Sequence, residues 1–231
     1  MTKEQKISKD RYGEVINTFL LSDPDTVIPM NRKEFYEEQI KVFKKTGKPS
    51  RACEIVVLFI FNRVGEVIIQ KRSFDKNHNP GLLDKSIGGH IRYGDTEDFS
   101  VMVETVQELQ IPSFVLKNEV DFKKTLSLLC SYLSTISIVK HSKSKIFNLE
   151  RIINNETIII ANKVHIYFGI YDGRIRPVDR EAKGILYYSL DELEQEVKKF
   201  PDTFTNDVMV FLKEFKPEMK KFLKTISRYN N

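Results

Sequence analysis

A chain of 231 residues with 41% hydrophobic and 30% charged side chains is long enough to bury a full core as one domain, and its composition excludes a disordered or fibrous chain. Its 37 basic and 32 acidic residues, a formal charge of +5, are interleaved along the sequence, so the lysine clusters at 44–45, 140–145 and 216–224 read as solvated faces and a nucleic-acid role is not favoured. The two distant cysteines, Cys53 and Cys130, fit neither a zinc site nor a redox pair; with a polar N-terminus and a longest apolar run of Ile55 to Phe61, they point to a cytoplasmic chain that does not enter the membrane.

In chain order, Ser8 to Pro29 reads as a short strand pair, with Glu14 to Leu20 as one arm and Asp23-Pro24-Asp25 near the turn. Arg32 to Thr46 carries Phe35, Ile40, Val42 and Phe43 among charges, a helical pattern. Ile55 to Asn62 and Val67 to Arg72, joined through Val64-Gly65, read as a hairpin of two strong strands. Asn79-Pro80-Gly81 and Gly88-Gly89 follow as turn and backbone-permissive points.

A helix is predicted from Asp95-Thr96, where either side chain can accept from the first free N–H groups, to a stop at Pro112. Its expected apolar face is Phe99, Val103, Val106 and Leu109. Phe122 to Ile138 reads as a helix or a helix-to-strand segment. Strands are expected at 158–160, Val164 to Ile170 and Ile185 to Tyr188, then helices from Leu190 to Lys199 and from Asn206 into the basic tail. Strands, helix, strands, helix make an α/β (α+β) chain, a mixed sheet sandwiched between helices.

Glu104 and Glu108 lie four apart in the predicted helix, so their carboxylates project from one face, which Gln107 is expected to share. Clustered anionic oxygens repel unless a cation lies between them, and hard oxygen donors suit Mg²⁺. On spacing alone, an exposed helix with scattered glutamates is the better explanation of the pair. The upstream Gln70-Lys71-Arg72, Lys76 and Gly-Gly turn favour a cleft that gathers cations and carboxylates.

Gly89-His90-Ile91-Arg92-Tyr93-Gly94-Asp95, continued through Val103-Glu104-Thr105-Val106-Gln107-Glu108-Leu109-Gln110-Ile111, resembles the Nudix box, G-x5-E-x7-R-E-U-x-E-E-x-G-U with U a bulky aliphatic. Gly89, Asp95, Glu104, Glu108 and Ile111 align with it. Val103 replaces the arginine, Thr105 the aliphatic, Gln107 a metal-binding glutamate and Gln110 the last glycine. Lys71-Arg72-Ser73, Lys76, the stretches 79–84 and 86–90, Tyr171-Asp172-Gly173, the run to Glu181 and Pro201 to Thr205 resemble the Nudix branch of isopentenyl-diphosphate isomerase. The resemblance covers about 55–111 and 164–211. It implies one Nudix domain over 1–231, with an N-terminal extension over 1–50 and an insertion over 114–163.

The resemblance implies Mg²⁺ (or Mn²⁺) held by Glu104, Glu108 and Gln107, with Glu104 placed to assist a water. It implies phosphate contacts from Arg72 and Lys76, and a base or ligand role for Glu181, which reads equally as a solvated loop residue. Gly89, His90 and Asp95 are supporting residues; His90 is expected as a hydrogen-bonding loop residue, and Asp95 can cap the helix. The isomerase needs a cysteine where this chain has Gly88 and two histidines in its N-terminal part, whereas no histidine precedes His78, which speaks against isomerase activity. The expected activity is hydrolysis of a diphosphate linking a nucleoside to another moiety. The alternative is a weakened or inactive module that binds a nucleotide or metabolite. The partner is a small diphosphate or nucleotide, and relatives that pair imply a homodimer.

Overall fold

The computed structural model describes residues 14–76, 78–153, 156–177 and 182–229. The N-terminal arm forms β1 (Val15–Leu20) and β2 (Asp23–Asn31), an antiparallel pair as expected, followed by α1 (Arg32–Thr46). The Asn31 side chain caps α1 by accepting from the N–H groups of Lys33 and Glu34, and Gly47 ends the helix in the left-handed region. Next come β3 (Arg51–Phe61), β4 (Val67–Arg72), β5 (Leu83–Asp84) and β6 (Ile87–His90). They are followed by α2 (Glu97–Leu109), β7 (Ser113–Leu116) and α3 (Glu119–Leu129). A long hairpin of β8 (Ser137–Ile153) and β9 (Glu156–Ile170), then β10 (Ala182–Tyr188), α4 (Leu190–Lys199) and α5 (Asn206–Ile226), complete the chain.

The strands form one mixed sheet in the order β10-β4-β3-β9-β8-β7, with β1 and β6 also on β3, β2 on β1 and β5 on β4. β3 runs parallel to β9 from Ala52↔Ala161 to Phe61↔Ile170. Its alternation separates two cores, as a strand buried on both faces requires. Ile55, Val57, Phe59 and Phe61 face a layer holding Phe35 of α1, Phe122 of α3, Leu193 of α4 and Phe211 and Phe222 of α5. Val56, Leu58 and Ile60 face Val101 and Leu109 of α2, together with Tyr167. Helices therefore cover both faces of the sheet. Among the described residues no helix is long and apolar enough to cross a membrane.

Two expectations change. The hairpin of β3 and β4 pairs only at Phe61↔Val67 and then opens; β3 goes on to pair with β6, and β4 with β10 and β5. The strands expected at 158–160 and 164–170 are one continuous β9. The stretch 114–163 contains α3 and supplies most of β7, all of β8 and half of β9 to the same sheet. The helix-to-strand reading of 122–138 matches α3 followed by the start of β8.

Candidate functional site

The opening between β3 and β4 is what creates the site. Where the two strands part, Ser86 bridges them: its Oγ accepts from Ile60 N–H at 2.8 Å and donates to the Ile68 carbonyl at 2.6 Å. One buried hydroxyl thus satisfies backbone groups that a continuous ladder would have paired. Immediately after it, Gly88 and Gly89 of β6 lie opposite Val57 and Val56.

Neither glycine has room for a side chain. A Cβ at Gly89 would overlap the Glu104 carboxylate, and one at Gly88 would run into Cε of Lys85. The glycine pair is thus a close-approach site that lets a helix carboxylate and a lysine stem lie directly on the strand. It also explains Gly88 where the isomerase resemblance calls for cysteine: the space is filled by Lys85.

α2 turns Glu104 and Glu108 inward, at 8% and 5% exposure, with Val101, Thr105 and Leu109. Gln70 Nε2 of β4 donates to Glu108 Oε2 at 3.0 Å and also to the Ser86 carbonyl. The expected apolar face is corrected here: Phe99 and Val106 are about half exposed, at 49% and 51%, and the carboxylates take the inner position. Gln107 is exposed and does not share the buried face of the two glutamates. Thr96, not Asp95, caps the helix by accepting from Phe99 N–H at 3.2 Å. Gln110, in the place of the last glycine of the box, keeps the left-handed backbone at φ 57°.

Arg72 lies at the rim, but its guanidinium is engaged: one arm meets Asp84 Oδ2 at 2.9 Å, and Nε and the second arm donate to the His78 carbonyl. Behind it is a buried ion cluster in which Lys85 Nζ meets Asp84 at 3.1 Å and Asp207 at 2.7 Å, and Arg151 pairs with Asp207. Burial alone would raise Asp84, but Lys85 and Arg72 outweigh it and hold its carboxyl well below the usual range. Asp207 is likewise held low, burial being outweighed chiefly by Arg151 and Lys85. Thr205 donates to Asp84 Oδ1 at 2.8 Å and Leu83 bridges Phe204, so the stretches 79–84 and 201–205 meet in space.

Tyr36 of α1 hydrogen-bonds His90 Nε2 at 3.1 Å and stacks on His78 with ring centroids 4.8 Å apart. His90 thus sits at the end of β6 rather than in the expected loop. Burial, then the charges of Arg151, Arg32, Arg72 and Lys76, push the His78 pKa down to about 4. Lys76 is half-buried, and its charge is among those that act on His78. Glu181 lies outside the described residues. Among the described residues no three His, Cys, Asp or Glu side chains gather as a metal set. Two carboxylates one helical turn apart still fit a hard cation that completes its shell with water and substrate phosphate.

Sequence reasoning missed Tyr36, Lys85, Ser86, Arg151 and Asp207. Ser86 was visible as part of the stretch that resembles the isomerase branch, and Lys85 only as the residue between two such stretches.

No family model matches the chain. Two curated relatives are isopentenyl-diphosphate Delta-isomerases. The one from Serratia proteamaculans is 24% identical over 157 residues, 68% of this chain and 73% of the relative. The one from Streptomyces coelicolor is 21% identical over 188 residues, 81% of this chain and 80% of the relative. A solved protein of Deinococcus radiodurans superposes with a TM-score of 0.58 at 15% identity, covering 87% of this chain and 98% of that one. The box helix lying on a glycine pair, the mixed sheet between helices and these likenesses together make this chain a Nudix-fold protein, similar to the isopentenyl-diphosphate isomerase branch.

Proposed function

We propose that this chain hydrolyses a diphosphate linkage between a nucleoside and another moiety, using Mg²⁺ or Mn²⁺. The observation that carries the proposal is the inward placement of Glu104 and Glu108 on one turn of α2, against the Gly88-Gly89 strand. Two carboxylates on adjacent turns of one helix put hard oxygen donors on one face, an arrangement that suits a divalent cation.

Glu104 and Glu108 would hold the metal, which when bound polarises phosphoryl oxygen and lowers the pKa of its water. Glu104 takes the proton of the attacking water, while Gln70 fixes the orientation of Glu108 through its 3.0 Å bond. Lys76 supplies positive charge to the diphosphate, and Arg72 adds its field from the position that Asp84 fixes. Isomerisation is disfavoured because the place of the thiol is Gly88, over which Lys85 lies.

A panel of nucleoside diphosphate conjugates with Mg²⁺ or Mn²⁺ should release nucleoside monophosphate, and Glu108→Gln should abolish it. A second reading, binding without turnover, is favoured by the internal bonds that already occupy Arg72 and Glu108. It expects the same ligands to raise Tm with no product at high protein concentration. A cytoplasmic homodimer goes with either reading, and light scattering of the full chain tests the pairing.

A further inference from the structure

β8 and β9 keep register except between His141 and Lys143, where Ser142 is passed over and Ser144 falls opposite His165. Bulges of this kind re-aim side chains, and here the result is a polar chain across four strands. Ser144 Oγ lies 2.8 Å from His165 Nδ1, and His165 Nε2 lies 2.8 Å from Glu54 Oε1 of β3. Glu54 Oε2 accepts from Asn17 Nδ2 of β1 at 2.8 Å. Lys163 Nζ is 3.8 Å from Glu54 Oε1, and His141 Nε2 is 3.1 Å from Ser144 Oγ.

Glu54 and His165 are each 8% exposed, whereas Ser144 is open to solvent. Burial alone would raise Glu54, but its bonds to His165 and Asn17 bring the carboxyl below its ordinary value. An ionised carboxylate only accepts, so Nε2 of His165 carries the hydrogen toward Glu54, and in the neutral ring Nδ1 presents its lone pair to the serine. Charge satisfaction accounts for a buried Glu–His pair. It does not require an exposed hydroxyl on the other ring nitrogen. Nucleophile, base and orienting carboxylate are all within hydrogen-bond reach of one another in sequence.

We propose that Ser144, His165 and Glu54 form a reactive serine site that takes acyl groups from small activated esters. Ser144 Oγ attacks the carbonyl carbon as its proton passes to His165 Nδ1. The bond to the alcohol breaks, and the departing alkoxide takes that proton. Water then attacks the acyl-serine, giving its proton to Nδ1, and the acid leaves as the serine recovers its hydrogen. The open position of Ser144 limits the substrate to one that presents its carbonyl to solvent. Glu54 is the positioning residue, fixed by Asn17.

The test uses the full chain with a fluorophosphonate probe and with p-nitrophenyl acetate. One adduct per chain should form and map to Ser144, and the ester should be cleaved with an initial burst. Ser144→Ala, at an exposed position, should keep its Tm and lose both signals. His165→Gln should slow labelling about a hundredfold, the scale of general-base assistance, and Glu108→Gln should leave labelling unchanged. Glu54→Gln, checked for an unchanged Tm, should slow labelling and shift its pH profile. No adduct beyond that of the unfolded chain, or an adduct that persists in Ser144→Ala, overturns the proposal. So does tight zinc binding through His141 and His165 with no adduct, which would assign the convergent nitrogens to a metal.

Discussion

Two polar clusters flank β6, Lys85 lying over Gly88 and Glu104 over Gly89 on the opposite face, and they differ in the signs of charge they bring together. In one, Arg72, Lys85 and Arg151 interlock with Asp84 and Asp207, and nearly every arm has a partner. In the other, Glu104 and Glu108 put like charges on adjacent turns of one helix, and Gln70 donates to Glu108. The first arrangement positions backbone: it ties the 79–85 stretch to β8 and to the start of α5. The second gathers hard oxygen donors of one sign on one helix face.

The sharpest way to break the comparison is to remove one charge from each cluster. Asp207→Asn should cost about 3–5 kcal/mol, the usual cost of leaving a buried cation without its partner, as read by urea unfolding. Glu108→Gln keeps the shape of the side chain and an oxygen for Gln70 to donate to, so it should cost less than Asp207→Asn, while hydrolysis disappears. Equal destabilisation by the two substitutions would mean that the α2 carboxylates are structural.

Acid should take the ion cluster apart in two stages. His78 has a folded pKa of about 4 against an ordinary 6.5, so the folded chain binds fewer protons than the unfolded one in that window. Stability falls as pH drops through it. Asp84 and Asp207 are also held low in the folded chain, so their contribution is complete above the ordinary carboxylate range and is lost as pH falls below about 4. A denaturation series from pH 7 to pH 3 should show both slopes, and His78→Gln should flatten only the upper one.

Ser86 supports the carboxylate cluster, since its carbonyl holds Gln70 and its hydroxyl joins β3 to β4. Ser86→Ala leaves the buried Ile60 N–H without its acceptor and should cost about 1–3 kcal/mol. It should also loosen Glu108, so activity should fall together with Tm. A loss of Tm with unaltered turnover would separate the strand bridge from the site.

Much of the fold was legible in the chain because the strands alternate cleanly and the helix ends carry their own signals. Asn31 at the start of α1 and the Ser189 to Glu192 capping box of α4 are local features. The buried face of α2 was misread for a physical reason. Phe99, Val103 and Val106 have helical apolar spacing, yet the fold turns Glu104 and Glu108 inward, contrary to hydrophobic patterning. The ion cluster was invisible because its members, Lys85, Arg151 and Asp207, are 56 to 122 positions apart in the pairs they form, with no local periodicity to betray them. Resemblance supplied the box where patterning could not, and the same box drew attention to Gln107, which the fold leaves exposed.

The smallest effect sits at the end of the same helix. Gln110 holds φ at 57°, a left-handed conformation that the glycine of the box adopts without steric cost. The chain has therefore kept the backbone of the box after losing the residue that favours it. Gln110→Gly should stabilise by about 0.5–1 kcal/mol, the usual penalty for a side chain in this region relative to glycine. Because Gln110 is exposed and lies past the last turn, hydrolysis should not change. Were turnover to rise along with stability, α2 would be positioned too loosely in the natural chain, and the weakness of the site would lie in its support rather than in its missing carboxylates.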